Sequence, residues 1–403
     1  MKLVLATILS SLAATNAKDN GLALTPPMGW RSWNLYGKYV NQKLIQDIMT
    51  GMTDKSRGLS LAELGYSDVG LDDNWQLCEN GTYHDPTTGR PIVNLELFPN
   101  LKEMTDFAHD LGLTAGFYGN NCICAETTTS DELYYQGDVD VFKELGFDGW
   151  KLDGCGAQTD LVLWDKLISA ADLSIVVENC HWGTKEPFEP KRNDDGTLFC
   201  PWNFYRTSAD VQTFWWSVLL NLETVTKYAE SGLSVPGCWA YPDMLEVGVP
   251  GLTFEEWRSH FGMWAIVSSP LVLSHDVNNS TLMDEIYPII GNVDILSVNQ
   301  KYTGHSGGPF EAGVKGDNST IYYYKDLGEG GIAIMLINNS DDTAQVKLKF
   351  SEIPGLGDYE GQLTIRDLTN QFDIPGVFGM DEMFTSGDLV THDSVMMLFS
   401  KQG

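Results

Sequence analysis

The chain has 403 residues, long enough for a large core and more than one folding unit. Its formal charge of −30 argues against nucleic acid or an anionic membrane as partner and suits an exported soluble protein. Hydrophobic residues make up 43% and aromatics 11%, which describes a packed globular protein with rings to spare for stacking.

Met1-Lys2, an apolar run over 3–9 and small residues up to Ala17 read as a secretory signal peptide over 1–17, with Thr15 and Ala17 in a small-x-small cleavage site. That run is too short to span a membrane, and no later stretch offers a span. Secretion, or delivery to an acidic compartment such as a lysosome or vacuole, makes the seven cysteines (78, 122, 124, 155, 180, 200 and 238) candidates for disulfides. The odd count leaves at least one thiol over. Sequons at Asn80, Asn278, Asn279, Asn318 and Asn338 permit N-glycosylation.

After the leader, residues 24–30 open a first strand that runs into Ser32-Trp33-Asn34. A helical pattern over 42–64 precedes a strand at 66–71 that ends in Asp72-Asp73. An amphipathic run at 100–111 leads to a strand at 114–118, and a helix over 131–145 leads to the strand 149–153. Residues 161–171 read as helix, 174–178 and 202–206 as strands, 212–228 as helix, and 237–244 as strand. A helix at 254–266, a strand at 268–273 and a helix at 282–290 complete the series. Short apolar strands alternating with helices imply a parallel sheet with crossover helices. About eight such units fit a (β/α)8 TIM barrel over 18–303. No G-x-G-x-x-G follows the first strand, so a dinucleotide fold is disfavoured.

The pattern changes near His305-Ser306-Gly307-Gly308-Pro309. Period-two stretches at 320–324, 332–337, 344–350, 362–365 and 394–399, separated by Gly, Asn and Asp turns, predict a small antiparallel β-sandwich over 304–403. No repeat, metal-spaced His/Cys cluster or cofactor motif is present, so no cofactor is expected.

Chemistry gathers at the strand ends. In the strand 149–153, Lys151 and Asp153 share a face. An ammonium beside a carboxylate favours the ionised form that a nucleophilic Asp requires. Trp30, Asp72, Asp73, Tyr118, His181, Trp182, Arg206 and Asp243 each end or follow another strand. One such Asp is ordinary helix capping; recurrence at every strand end is not. Paired carboxylates, many polar hydroxyl readers and stacking tryptophans suggest hydrolysis of a glycoside by two carboxylic acids.

Five stretches carry a resemblance: Pro27-Met28-Gly29-Trp30, Leu71-Asp72-Asp73-Asn74-Trp75, Trp150-Lys151-Leu152-Asp153-Gly154-Cys155, Tyr205-Arg206-Thr207-Ser208-Ala209-Asp210 and Pro242-Asp243-Met244-Leu245. In their order they resemble glycoside hydrolase family 27, the α-galactosidases (melibiases), and the β tail is similar to that family's C-terminal domain. The resemblance implies a secreted exo-acting enzyme on terminal α-galactosides, retaining by double displacement. Asp153 would be the nucleophile and Asp210 the acid/base. Asp72 and Asp73 would hold the 4- and 6-hydroxyls and Trp30 an apolar wall, with Tyr118, Lys151, His181, Trp182, Arg206 and Asp243 in the same pocket. An acid must keep its proton in the resting enzyme, so Arg206 is expected to reach the sugar or Asp153 rather than Asp210.

The same resemblance implies disulfides Cys124–Cys155 and Cys180–Cys200, with Cys122 competing for Cys155. Departures from the family stand at Asn74, where many members have Cys, and at Tyr36-Gly37-Lys38, which lacks its partner Cys. His181 and Thr184 replace an acidic or amide residue and a bulky apolar one near the sugar's 2-substituent. Ala240-Tyr241 and Cys238 also depart from the pattern. An α-N-acetylgalactosaminidase, a β-L-arabinopyranosidase or, in another class, a non-catalytic sugar-binding protein would use the same scaffold. Keeping Asp72 favours a hexose. Oligomeric state is left open.

Overall fold

The computed structural model describes residues 15–16, 18, 20–184, 198–313 and 319–402. The leader expected over 1–17 lies, apart from Thr15 and Asn16, outside the described residues, as does the sequon at Asn318.

Eight parallel strands form the first unit: β1 (Met28–Arg31), β2 (Asp68–Gly70), β3 (Thr114–Gly119), β4 (Gly149–Asp153), β5 (Val176–Cys180), β6 (Phe204–Arg206), β7 (Trp239–Tyr241) and β8 (Leu271–Leu273). From β1 to β7 each pairs with its sequence neighbour, and β8 pairs with β1. The ring meets itself where the Leu245 N–H, just past β7, donates to the Val272 carbonyl at 2.8 Å. Helices cover the outside, so the strands are buried on both faces and read as apolar runs. This is the TIM-like barrel that the alternation predicts.

Helix bounds follow local signals. Gln42–Met52 starts on Asn41, whose side chain accepts from the Leu44 N–H. It stops well short of 64 because Asp54 turns the chain through Ser56, and Gly58 and Gly65 take positive φ. Phe254–Ile266 is bounded by a capping box between Thr253 and Glu256. The run 212–228 divides into Trp215–Glu223 and Thr226–Glu230. β7 ends at Tyr241 because Pro242 has no N–H for a ladder and Asp243 takes φ 98.

The tail is antiparallel. Gly308–Pro309, Thr320–Asp326, Ile332–Asn338, Ser394–Lys401, Gln362–Asp367 and Phe372–Gly379 form one sheet in that spatial order, and Lys347–Lys349 pairs with Met383–Thr385 in a second layer. Along Ile332–Asn338, Ala333, Met335 and Ile337 belong to the barrel's core. Ile332, Ile334 and Leu336 belong to the tail's own core. Period-two alternation therefore glues the tail to the barrel with one face and closes a sandwich with the other. The strand Phe372–Gly379, which sequence patterning misses, carries Pro375; it lies at the sheet edge, where a missing N–H costs no ladder bond.

Candidate active site

A cleft of about 640 Å³ is lined by Asp72, Tyr118, Lys151, Asp153, Trp182, Arg206, Asp210 and Asp243, which come from the ends of six different strands. β4 exits through Gly154, where a Cβ would strike the Trp182 ring at 2.8 Å, so only glycine lets this ring close over the strand end. Asp153 is buried on the floor. Its Oδ2 accepts from the Tyr118 hydroxyl at 3.1 Å, and the Asn120 amide holds its backbone carbonyl at 3.1 Å.

Lys151 does face Asp153, but at 3.9 Å; its close partner is Asp72, at 2.7 Å. Burial works against the Lys151 charge, yet Asp72, the Cys180 thiol and Asp153 outweigh it and hold the ammonium well above its ordinary pKa. For Asp153 burial wins: its carboxyl is raised above the ordinary value, although Lys151 and the Tyr118 hydroxyl pull the other way.

Arg206 does not avoid Asp210. Its Nη2 lies 3.0 Å from Asp210 Oδ1 and 2.9 Å from Asp243 Oδ2, so one guanidinium serves both carboxylates. Asp210 is still half-exposed at the rim, with 51% of its side chain accessible, whereas Asp243 is buried. Both carboxylates share Nη2, while Nη1 turns to the Cys180 sulfur at 3.4 Å. Burial lifts Asp243 to a pKa of about 6 against the pull of Arg206, with Asp210 adding to the rise. The strained φ of Asp243 is fixed by its own carboxylate, which accepts from the Val211 and Met244 N–H groups, each at 2.8 Å.

Three expected residues do not line the cleft. Asp73 lies beneath it and accepts from the N–H groups of Asn74 (2.7 Å), Cys122 (3.0 Å) and Ile123 (2.8 Å) and from the Asn121 amide (3.2 Å). Its place is under the 121–123 turn, and burial raises its carboxyl to about 6. Trp30 is fully buried, donates to the His275 carbonyl at 2.8 Å and backs the cleft-lining Tyr36. His181 is buried with Nδ1 3.0 Å from Asn179 Oδ1, and its carbonyl takes the Thr184 hydroxyl at 2.7 Å.

The disulfides differ from both expected pairings. The bridges are Cys78–Cys124, Cys122–Cys155 and Cys200–Cys238, and Cys180 is a free, buried thiol. Asp73 holds the Cys122 amide, and Asn121 Oδ1 accepts the amides of Cys124 and Ala125; this tight turn points neighbouring cysteines to different partners. Cys122 thus takes Cys155, and Cys124 turns to Cys78. Cys180 ends β5 on the same face as Glu178, inside the barrel, where it lies 3.4 Å from Arg206 Nη1. Cys238, whose presence the family pattern does not explain, is the partner of Cys200. Asn74, standing in place of a cysteine, ties the same two segments that a bridge would join: its amide donates to the Lys38 carbonyl at 2.6 Å.

Sequence reasoning also missed two buried groups. Arg31 pairs with Glu178 at 3.1 Å across the barrel interior. Glu246, three residues past Asp243, lines the cleft with Asn34. Either carried a signal in principle, since a charged residue at a strand position or in an apolar loop asks for a partner.

A family model described as Alpha galactosidase A (Melibiase_2) matches residues 25–301, more than half of the chain. The chain belongs to this family. It is accordingly a glycoside hydrolase by family and fold. Among curated relatives, alpha-galactosidase 3 of Arabidopsis thaliana is 30% identical over 88% of this chain and 78% of its own length. The alpha-galactosidase of Cyamopsis tetragonoloba is 29% identical over 83% of this chain and 78% of its own. Among solved structures, alpha-galactosidase I from Mortierella vinacea superposes with a TM-score of 0.80 at 25% identity, covering 95% of this chain and 99% of that one.

Proposed function

We propose that this member of the family hydrolyses terminal α-galactosyl residues with retention, with Asp153 as nucleophile and Asp210 as acid/base. The observation that carries the reading is a difference in depth: Asp153 is buried on the cleft floor, while Asp210 stands half-exposed at the rim. A carboxylate oxygen of Asp153 would attack the anomeric carbon while Asp210 gives its proton to the glycosidic oxygen, and the aglycone leaves as a neutral alcohol. Asp210 would then take a proton from water as that water attacks the glycosyl ester, and Asp153 is released. Retention asks for carboxyl groups about 5–5.5 Å apart. The Lys151–Asp72 pair offers donor and acceptor together for sugar hydroxyls, and a site built this way discriminates against an analogue lacking them. Trp182 and Tyr118 supply ring surfaces.

Secretion, or residence in a vacuole or lysosome, belongs to the same proposal. Three disulfides suit an oxidising compartment, and among the described residues no helix is long and apolar enough to cross a membrane.

The test compares kcat/KM of the purified protein on α-galactoside, α-N-acetylgalactosaminide and β-L-arabinopyranoside reporters, with Asp153→Asn as control. The α-galactoside should be preferred, and Asp153→Asn should lose kcat while retaining the fold and galactose binding, because an amide cannot attack the anomeric carbon. Preference for another reporter would refute the substrate; wild-type-like kcat in Asp153→Asn would refute the nucleophile.

A further inference from the structure

Glu246 is a charged-type side chain in the cleft that this mechanism does not use. It follows β7 in the loop that holds Asp243, is fully buried and lines the cleft. Its Oε1 accepts from the side-chain amide of Asn34. Its Oε2 is shielded from solvent and has no hydrogen-bond partner among the described residues. Burial, with the Asp243 charge added, lifts its pKa to about 8, and Asn34 offsets only part of this. A buried acid with one unsatisfied oxygen costs stability, and an apolar residue of similar volume would fill the space without that cost. What the carboxyl does supply is a fixed acceptor for Asn34.

Asn34 belongs to the short helix Trp33–Tyr36 after β1, which buries none of its residues, and it reaches the cleft surface. Loops after β1 and β7 flank β8, which lies opposite β4 in a ring of this order. The Asn34–Glu246 tie therefore forms the wall that faces Asp153 across the mouth. Depth assigns what that wall meets. The sugar that is attacked sits over the buried floor of Asp72, Lys151 and Asp153, and the leaving oxygen points to Asp210 at the rim. The partly exposed wall above the floor is met by the group that departs. Locking a contact side chain through a buried partner lowers the ordering cost of binding.

We propose that Asn34, oriented by Glu246, is a specificity-determining residue that hydrogen-bonds a hydroxyl of the leaving sugar. The inference rests on the roles given above to Asp153 and Asp210. It is tested with an α-galactosyl-glucose disaccharide and methyl α-galactoside, both alcohol leaving groups, of which only the first carries further hydroxyls.

In Asn34→Ala, KM for the disaccharide should rise about ten-fold, the loss expected for one hydrogen bond, with kcat little changed and the methyl glycoside unaffected. Glu246→Leu should reproduce that pattern by unseating Asn34, while Glu246→Gln, which retains an acceptor, should stay close to wild type. Thermal midpoints of the three variants check that each folds, and Asn34→Ala stands alone should Glu246→Leu fail to. Equal loss on both glycosides would place Asn34 on the terminal sugar and overturn the proposal, as would no loss on either. A wild type that turns over neither glycoside would overturn the galactosidase reading itself, before any variant is compared.

Discussion

Protonation of His84 should be worth about 3 kcal/mol of stability at neutral pH and nothing well above pH 9. The ring is buried, with Nδ1 2.6 Å from Glu126 Oε2 and Nε2 3.1 Å from Asp138 Oδ2. These partners come from the loop after β3 and from helix Glu132–Leu145, so one imidazolium joins the segments that carry Cys78 and Cys124. Burial opposes the charge, but Asp138 and Glu126 prevail and raise the pKa from 6.5 to about 9. Below pH 6.5 both folded and unfolded states hold the proton, and the full stabilisation is present. As pH rises toward 9 the unfolded chain has lost that proton and the folded one has not, so stability falls by about 1.4 kcal/mol per pH unit across the window. The assay is the urea midpoint of wild type and His84→Gln at intervals from pH 6 to 9.5; the difference between them cancels the slopes of all other groups. His84→Gln should be the less stable by about 3 kcal/mol at pH 6, and the gap should close with rising pH. A gap that stays constant with pH would refute the charged state of His84.

Three further outcomes follow from the site. Asp210→Ala should lose far more activity on the disaccharide than on an activated aryl α-galactoside, and azide should restore the latter to give the α-configured azide; an inverted product would refute retention. Removing Cys122–Cys155 or Cys200–Cys238 opens loops of 33 or 38 residues and should cost roughly 3–4 kcal/mol in either case. Only the first should also depress kcat, because Cys122 Sγ lies 3.5 Å from Asp153 Oδ1; equal kcat in the two double-alanine variants would contradict this. Asp73→Asn turns a donor toward amides that need acceptors, so it should lower both the thermal midpoint and kcat/KM by disturbing the 121–123 turn, whereas a loss confined to KM would mean direct sugar contact.

The barrel was legible because its strands are short, buried on both faces and separated by amphipathic helices with local caps. Where a boundary is set by a local signal, as at Thr253 and Glu256, the reading of Phe254–Ile266 agrees with the structure to the residue. Where the stop lies in turn residues just past the apolar run the reading overruns, as in the helix that ends at Met52 before the Asp54 turn and the strand that ends at Tyr241 before Pro242. The edge strand with Pro375 was hidden because proline argues against a strand unless its position in the sheet is known. In the site, motifs at strand ends pointed to residues that do line the cleft, such as Asp72, Asp153 and Asp243, and also to Trp30, Asp73 and His181, which lie behind it. Partnerships were not legible. Cys122 or Cys124 for Cys155, Asp72 or Asp153 for Lys151, and Asn34 for Glu246 are choices made by loops that meet only in space.

Those choices bear on the proposed chemistry. A carboxylate held in a close ion pair has its lone pairs occupied and is a weaker nucleophile than one with its charge less satisfied. Lys151 gives its 2.7 Å contact to Asp72 and stands 3.9 Å from Asp153, so it would orient the floor without quenching the oxygen proposed to attack. The rise in the Asp153 pKa through burial points the same way, toward a more basic carboxylate. At the rim the proposed chemistry asks the reverse, since an acid/base there would give up a proton during glycosidic cleavage. Arg206 is shared there: Asp243, which is buried, lies as close to the guanidinium as Asp210 does, which divides the positive charge between them. In the proposed cycle the arginine would then stabilise the Asp210 carboxylate formed when the leaving oxygen is protonated, the state that would act as base on water. One cation would thereby favour the second half of the proposed double displacement, while Asp243 would limit how strongly it opposes the first.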